Sequence, residues 1–244
     1  MTEFRRRVYE AYRTTTSANC YGQTSNMLIS SQLRQSKQRW GRFLPNDLKA
    51  HFLDIGCGSG EFLLLLQESG YDRIEGIDIS PEQVEAARRL GLGQVVPGDA
   101  RSYLMTRHAV YDVISAQNIL EHMDRDKLFD LIDAIVAALK PGGCLFAMVP
   151  NAKSPFGARV RYADITHELS FTPESILQIC TVVGLEPVYI GECGPVVHGI
   201  ISFFRWCIWQ MIRLVFLIVL IAQGNDYHFR VYTQDMLVVL RKKK

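Results

Sequence analysis

The sequence predicts an α/β fold built on an open, doubly wound and mostly parallel sheet. Three observations lead there. From His51 to Pro150, short apolar runs alternate with stretches of helical period. A glycine-rich turn, Gly56-Cys57-Gly58-Ser59-Gly60, joins the first run, Phe52-Leu53-Asp54-Ile55, to the first helical stretch. An acid, Asp78, closes the second run, Glu75-Gly76-Ile77-Asp78. Such alternation makes right-handed crossovers and places a ligand beyond the carboxyl ends of the strands.

Taken in order, residues 1–45 form an N-terminal arm ahead of the main domain, 46–244. The arm is polar, with Tyr9, Tyr12, Tyr21 and Trp40 among Arg, Thr and Ser, and Ser30 to Phe43 can form a helix. It is either a lid or a packing arm. Strands are expected near 51–55, 73–78, 94–97, 111–116 and 143–149. The first helix starts after Gly60 with Glu61-Phe62-Leu63-Leu64-Leu65-Leu66. Ser80 caps the next, with Pro81 in its first turn. Gly98-Asp99-Ala100 follows the Val95-Val96 strand, and the fourth strand, ending at Gln117, opens onto Asn118-Ile119-Leu120-Glu121-His122. Leu128, Leu131, Ile132, Ile135, Val136 and Leu139 repeat at helical spacing over Asp126 to Leu139, and Lys140-Pro141-Gly142-Gly143 ends that helix. A polar loop from Asn151 to Ser170 follows the fifth strand. Thr172 caps a helix with Pro173 in its first position, and Gly184 closes it after Val183. Leu185 to Ile190 reads as a sixth strand and Met236 to Leu240 as a seventh.

The glycine turn identifies its ligand by what it lacks. Gly56 and Gly58 allow positive φ and close approach to the backbone. A dinucleotide fingerprint wants a third glycine three residues after Gly58, where Glu61 stands instead. An acid at a helix N-terminus opposes a pyrophosphate there. Asp54, just ahead of the turn, suits a ligand with positive charge. Asp78 can accept from both hydroxyls of a ribose, and Asp99 from an adenine amino group. S-adenosylmethionine combines an ammonium, a ribose and an adenine with no phosphate.

The strings FLDIGCGSG, GIDIS, GDA, YDVISAQNILEHM and LKPGGCLFAMVPN resemble, in order, the motifs of class I S-adenosylmethionine-dependent methyltransferases. The group most resembled holds the ubiquinone-biosynthesis O-methyltransferases and relatives encoded with surface-polysaccharide enzymes. The resemblance runs from about Leu53 to Leu240. It implies a Rossmann-like, seven-stranded sheet whose seventh strand is antiparallel and pairs with the sixth. It also implies a cofactor pocket lined by Asp54, Gly56, Cys57, Gly58, Asp78, Ile79, Asp99, Ala100 and Gln117.

Composition bounds the rest. The 244 residues suit one large domain or a domain with additions, and 48% apolar residues suffice for a core. A formal charge of +2, without aromatic–basic interleaving, argues against a nucleic-acid partner. The basic ends, Arg5-Arg6-Arg7 and Arg241-Lys242-Lys243-Lys244, serve solubility or meet anionic lipid. Cys20, Cys57, Cys144, Cys180, Cys193 and Cys207 form no metal or disulfide pattern. With no apolar leader after Met1, a cytoplasmic setting is expected.

Methyl transfer to a hydroxyl asks the protein to position the oxygen and remove its proton. Histidine suits the second task. His167, in Arg161-Tyr162-Ala163-Asp164-Ile165-Thr166-His167-Glu168, is the first candidate base, and His122 the second; proximity alone is the remaining alternative. Asp164 or Glu168 can orient an imidazole. Asn151 is expected to hydrogen-bond a substrate hydroxyl, and Arg159 and Arg161 to hold a phosphate or carboxylate. No metal is expected, because Asp164 alone does not make a magnesium site.

Gly199 to Ala222 reads GIISFFRWCIWQMIRLVFLIVLIA. It is too apolar for a loop, and it carries Arg205, Gln210 and Arg213. A spanning helix needs about 20 mostly apolar residues, with charge near its centre costly. Three readings stand: an interfacial membrane helix, a buried or homodimer-forming helix, and a span. The first suggests peripheral contact with the inner face of the plasma membrane through 199–222. The acceptor expected is a small molecule or a lipid-linked glycan, first of all a sugar hydroxyl on a lipid-linked or surface polysaccharide precursor. A prenylquinone O-methyltransferase and a non-catalytic cofactor-binding scaffold are the alternatives.

Overall fold

The computed structural model describes residues 3–10, 26–224 and 230–244. Tyr12, Cys20 and Tyr21 lie outside them. The strands are β1 (Phe52–Ile55), β2 (Ile74–Asp78), β3 (Val95–Pro97), β4 (Tyr111–Gln117), β5 (Leu139–Pro150), β6 (Leu185–Glu192) and β7 (Asp235–Lys242). They form one sheet in the order β3-β2-β1-β4-β5-β7-β6. The first five are parallel, and β7 runs antiparallel to both β5 and β6. The doubly wound fold and its antiparallel last strand are as expected. The strand order reverses between β1 and β4, so the crevice for a ligand opens above those two strands.

The helices are α1 (Glu3–Glu10), α2 (Asn26–Trp40), α3 (Glu61–Glu68), α4 (Pro81–Arg89), α5 (Ala100–Leu104), α6 (Arg125–Ala138), α7 (Gly157–Arg161), α8 (Pro173–Val183) and α9 (Ile200–Ala222). A central parallel strand is covered on both faces, and every residue of β1 is buried. Leu53 and Ile55 join Ile114, Leu131, Ile135, Leu145 and Ile176 on one face. Phe52 joins Trp40, Phe62, Leu66, Phe146 and Val239 on the other. Trp40, from the expected arm, is fully buried and stacks on Phe146 with ring centroids 5.4 Å apart. Thus α2 packs into the core of the main domain.

Local expectations change at two places. Leu139 is extended, not helical, because Pro141 disfavours a helical Lys140. β5 therefore begins at Leu139, and its register on β4 shifts between Tyr111 and Val113. Ser80 occupies the cap position of α4 without a side-chain cap bond. Its N–H donates to Asp78 Oδ1 at 2.8 Å, and its buried hydroxyl has no partner. The capping box at Thr172 and Ser175 and the left-handed Gly184 form as the sequence indicates.

Candidate functional site

The turn after β1 is built for a ligand. Gly56, Gly58 and Gly60 have φ of 63°, 53° and 86°. A Cβ on Gly56 would lie 1.9 Å from Ile119 Cδ1, so this glycine serves packing. A Cβ on Gly58 would meet nothing within 4 Å; its bare backbone faces open space. Asp78 Oδ2 accepts from Gly58 N at 2.8 Å, tying the turn to the end of β2. Burial pushes the Asp78 carboxyl up. Ile79 follows it, partly exposed. Cys57 turns its side chain into the core, and burial pushes its thiol up, so only its backbone faces the turn.

Asp54 is the decisive side chain. It is 3% exposed and lies opposite Ser115 in the β1–β4 register. Trp40 Nε1 donates to Gln117 Oε1 at 3.1 Å, and Gln117 Nε2 donates to Ser115 Oγ at 3.1 Å. Ser115 in turn bonds Asp54. Each end of the Gln117 amide thus makes one bond inside the protein, linking α2 through β4 to Asp54. Asp54 Oδ1 is buried without a partner. Burial, then Asp78 and Glu61, push the Asp54 carboxyl up to about 7. A buried acid with an orphan oxygen and acidic neighbours is a receptor for a cation. Asp99 has a structural role as well. It is exposed, and its Oδ1 accepts from Ser102 N and Oγ at 2.8 Å, capping α5, which opens with Ala100.

A second cluster lies beyond β4 and β5. Glu121, His122 and His167 bring one ligand atom each within 4.8 Å of the others. His122 Nδ1 lies 2.8 Å from Thr166 Oγ1, whose hydroxyl donates to Asp164 Oδ1 at 2.6 Å. With that proton spoken for, Nδ1 is the donor and Nε2 of His122 carries the lone pair. His167 Nδ1 lies 3.0 Å from the Val160 carbonyl, which only accepts. Its Nε2 therefore carries the lone pair, and sits 4.0 Å from Glu121 Oε1. Burial, followed by His167, lowers His122 to about 4. Burial raises Glu121, 1% exposed, to about 8, and its Oε2 has no partner. Tyr9 of α1 bonds Thr166 and sets its ring edge-on to His122 at 6.4 Å. Arg5 pairs with Glu168 at 3.1 Å. The arm therefore lies over this cluster.

The loop residues chosen for a substrate hold the loop and tie it to the segment before β7. Asn151 is fully buried. Its Nδ2 donates to the carbonyls of Val231 and Thr233 at 2.9 Å, and its Oδ1 accepts from Lys153 N. Arg161 donates to the carbonyls of His167 and Glu168. Asp164 accepts from Thr166 N and Oγ1 and so orients His122, not His167. The polar density that suggested substrate contacts comes from folding an irregular loop whose backbone groups need partners. Glu121, Thr166 and Ser115 were missed; the only signal was that Glu121 adjoins His122 and Thr166 adjoins His167.

Residues 29–190 match the family model described as "Methyltransferase domain". The chain belongs to this methyltransferase family. Within the methyltransferases, a ubiquinone biosynthesis O-methyltransferase of Xylella fastidiosa is 34% identical over 107 residues, 42% of each chain. A demethylmenaquinone methyltransferase of Leptospira interrogans is 30% identical over 115 residues, 43% of this chain and 45% of that one. The matches span less than half the length of these relatives. Among solved structures, a SAM-dependent methyltransferase from Archaeoglobus fulgidus superposes with a TM-score of 0.64 at 23% identity, covering 89% of this chain and all of that one. A Burkholderia thailandensis N1-methyltransferase with bound S-adenosylhomocysteine gives 0.59 at 15% identity over 100% and 92%. Both show the fold.

The methyltransferase cofactor fits the first cluster: the orphan oxygen of Asp54 meets the need of an ammonium, and the open space at Gly58 admits a ligand against the backbone. Glu121, His122 and His167 are the one group among the described residues with the donor chemistry and spacing of a metal site, although none was expected. The same lone pairs equally serve proton transfer.

Proposed function

We propose that the chain transfers a methyl group from S-adenosylmethionine to a hydroxyl oxygen of a lipid-borne acceptor. The observation that carries this is the pairing of a cation-accepting pocket at Asp54 with a histidine whose Nδ1 is held by a carbonyl and whose Nε2 is left as a base. The cofactor supplies an activated methyl on a sulfonium. Asp54 and the Gly58 turn would hold it, and its methyl would pass to the acceptor oxygen with a neutral thioether as the leaving group. The proton of the hydroxyl passes to His167 Nε2. His122, lowered to about 4, is the weaker base and forms a wall of the site with Tyr9.

Two acceptors carry such a hydroxyl: a sugar on a lipid-linked precursor and the ring of a prenylquinone precursor. Asn151, Arg161 and Asp164 make bonds inside the protein, which leaves the sugar reading with fewer polar partners. The ubiquinone biosynthesis O-methyltransferase among the relatives supports the ring hydroxyl, which is also the easier one to deprotonate. This reading places the enzyme on the inner face of the plasma membrane, where it meets its cofactor. The test is incubation with methyl-labelled cofactor and a lipid extract of bacterial membranes, followed by mass analysis. Label in a prenylated ring is expected; label in a glycolipid would select the sugar. Tight cofactor binding with no labelled product would leave a non-catalytic scaffold.

A further inference from the structure

We infer that α9 is a monotopic membrane anchor: it lies flat in one leaflet, with both ends on the side of the catalytic domain. The helix is inside out for a soluble protein. Placing its residues at about 100° intervals, the exposed apolar side chains occupy an arc of about 240° around the axis. Ile200 and Ile201 are 78% and 72% exposed, and Phe204, Ile208, Met211, Leu214, Val215 and Ile218 continue the surface. The opposite side carries most of the polar groups and grips the body. His198 N donates to Ser202 Oγ at 2.8 Å. Trp209 Nε1 donates to Glu192 Oε2 at 3.3 Å, and Arg213 pairs with the same oxygen at 3.4 Å. Phe216 packs on Tyr232 with centroids 5.5 Å apart.

Two physical arguments choose the occupant and its geometry. A partner helix in a two-fold dimer covers one stripe of its neighbour. An apolar arc of about 240° exceeds what one such partner shields, whereas lipid wets it entirely. The helix is also long and apolar enough to cross a membrane by length and composition, but its tethers forbid crossing. Contacts from Ser202 to Phe216 hold about 21 Å of its length along the domain. Tyr232 N is already back on Glu192 Oε1 at 3.0 Å. From Ala222 the chain has ten residues in which to return there. As helix these reach about 15 Å, half of a hydrocarbon core of about 30 Å. As extended chain they would expose unpaired backbone to lipid, which does not occur.

The anchor adjoins the site. Tyr232, under Phe216, leads through Thr233 to Asp235, and Asp235 acts electrostatically on Glu121. The inference concerns membrane docking and stands whether or not the acceptor assigned above is correct.

The full chain is mixed with sealed vesicles of phosphatidylethanolamine and phosphatidylglycerol, and flotation is measured. The wild type is expected to float. The triple variant Ile201→Glu, Ile208→Glu, Val215→Glu, which lies on one outward line, is expected to bind at least 10-fold more weakly, with unchanged far-UV circular dichroism and cofactor affinity. In single-tryptophan variants, brominated lipid should quench outward Trp206 and spare inward Trp209. A Gly224→Cys variant should react with a membrane-impermeant thiol reagent added outside, above the wild-type background. Protection of that cysteine would show a span and overturn the flat geometry. Failure of the wild type to float, with a dimer in sedimentation that the triple variant dissolves, would assign the face to a second copy and overturn the anchor.

Discussion

Replacing Asp54 by Asn is predicted to strengthen the empty protein while weakening its hold on the cofactor. The carboxyl is raised from 3.8 to about 7 in the folded chain, chiefly by burial. A raised acid binds a proton in the native state that the unfolded chain has lost, so stability falls as pH rises from about 4 and levels off above about 7. The full rise bounds the penalty at about 4 kcal/mol; relaxation around the site makes a gain of about 2 kcal/mol a reasonable expectation for the amide at pH 8. Ser115 still finds an oxygen to bond. The amide carries no charge, however, and a hydrogen bond to an ionised group contributes about 1.5–3 kcal/mol. The dissociation constant of S-adenosylmethionine should therefore rise about 10- to 150-fold. Urea unfolding of both proteins from pH 5 to 8.5, with calorimetric cofactor titration at pH 8, measures both effects. The variant's advantage should shrink steadily as pH falls from 7 to 5. A variant that is less stable at pH 8, or that binds the cofactor as tightly as the wild type, would refute the role given to the orphan oxygen.

Other expectations follow from the same geometry. His167→Ala should lower kcat about 10²- to 10⁴-fold with cofactor affinity intact in calorimetry. Gly56→Ala and Gly58→Ala should separate: the first clashes with Ile119 at 1.9 Å and lowers the melting temperature sharply, while the second costs about 1–2 kcal/mol for its positive φ and loses cofactor binding. Trp40→Ala should cost about 3–5 kcal/mol in urea unfolding, since it empties a fully buried site. Glu121→Gln should raise stability at pH 8.5 and not at pH 4, because the acid raised to about 8 penalises folding only above its ordinary range.

The sequence made the cofactor side of the molecule readable. Periodicity located β1, β2, β4 and α6 to within a residue or two, because each is buried on a regular face. The glycine turn was legible because positive φ and close approach select one residue type. The acceptor side was not. His167 is identifiable as a histidine in a polar loop, but its tautomer depends on the Val160 carbonyl. Asn151, Arg161 and Asp164 look like substrate ligands for the same reason that they hold the loop together: each offers polar atoms where regular backbone pairing is missing. Trp40 read as part of an arm because its partner, Phe146, is more than a hundred residues away.

The position of β7 has a consequence for synthesis. It sits between β5 and β6, yet it begins 13 residues after α9 ends, at Asp235 against Ala222. A ribosome adds about 5–20 residues per second, so α9 emerges about a second before the strand that closes the sheet. A helix forms in about a microsecond or less. In every round of translation α9 is thus made before Tyr232, so Phe216 has to wait for its partner on the body. If α9 is the anchor inferred above, a nearby bilayer would take up this helix first, and the last strand would then close the sheet beside it.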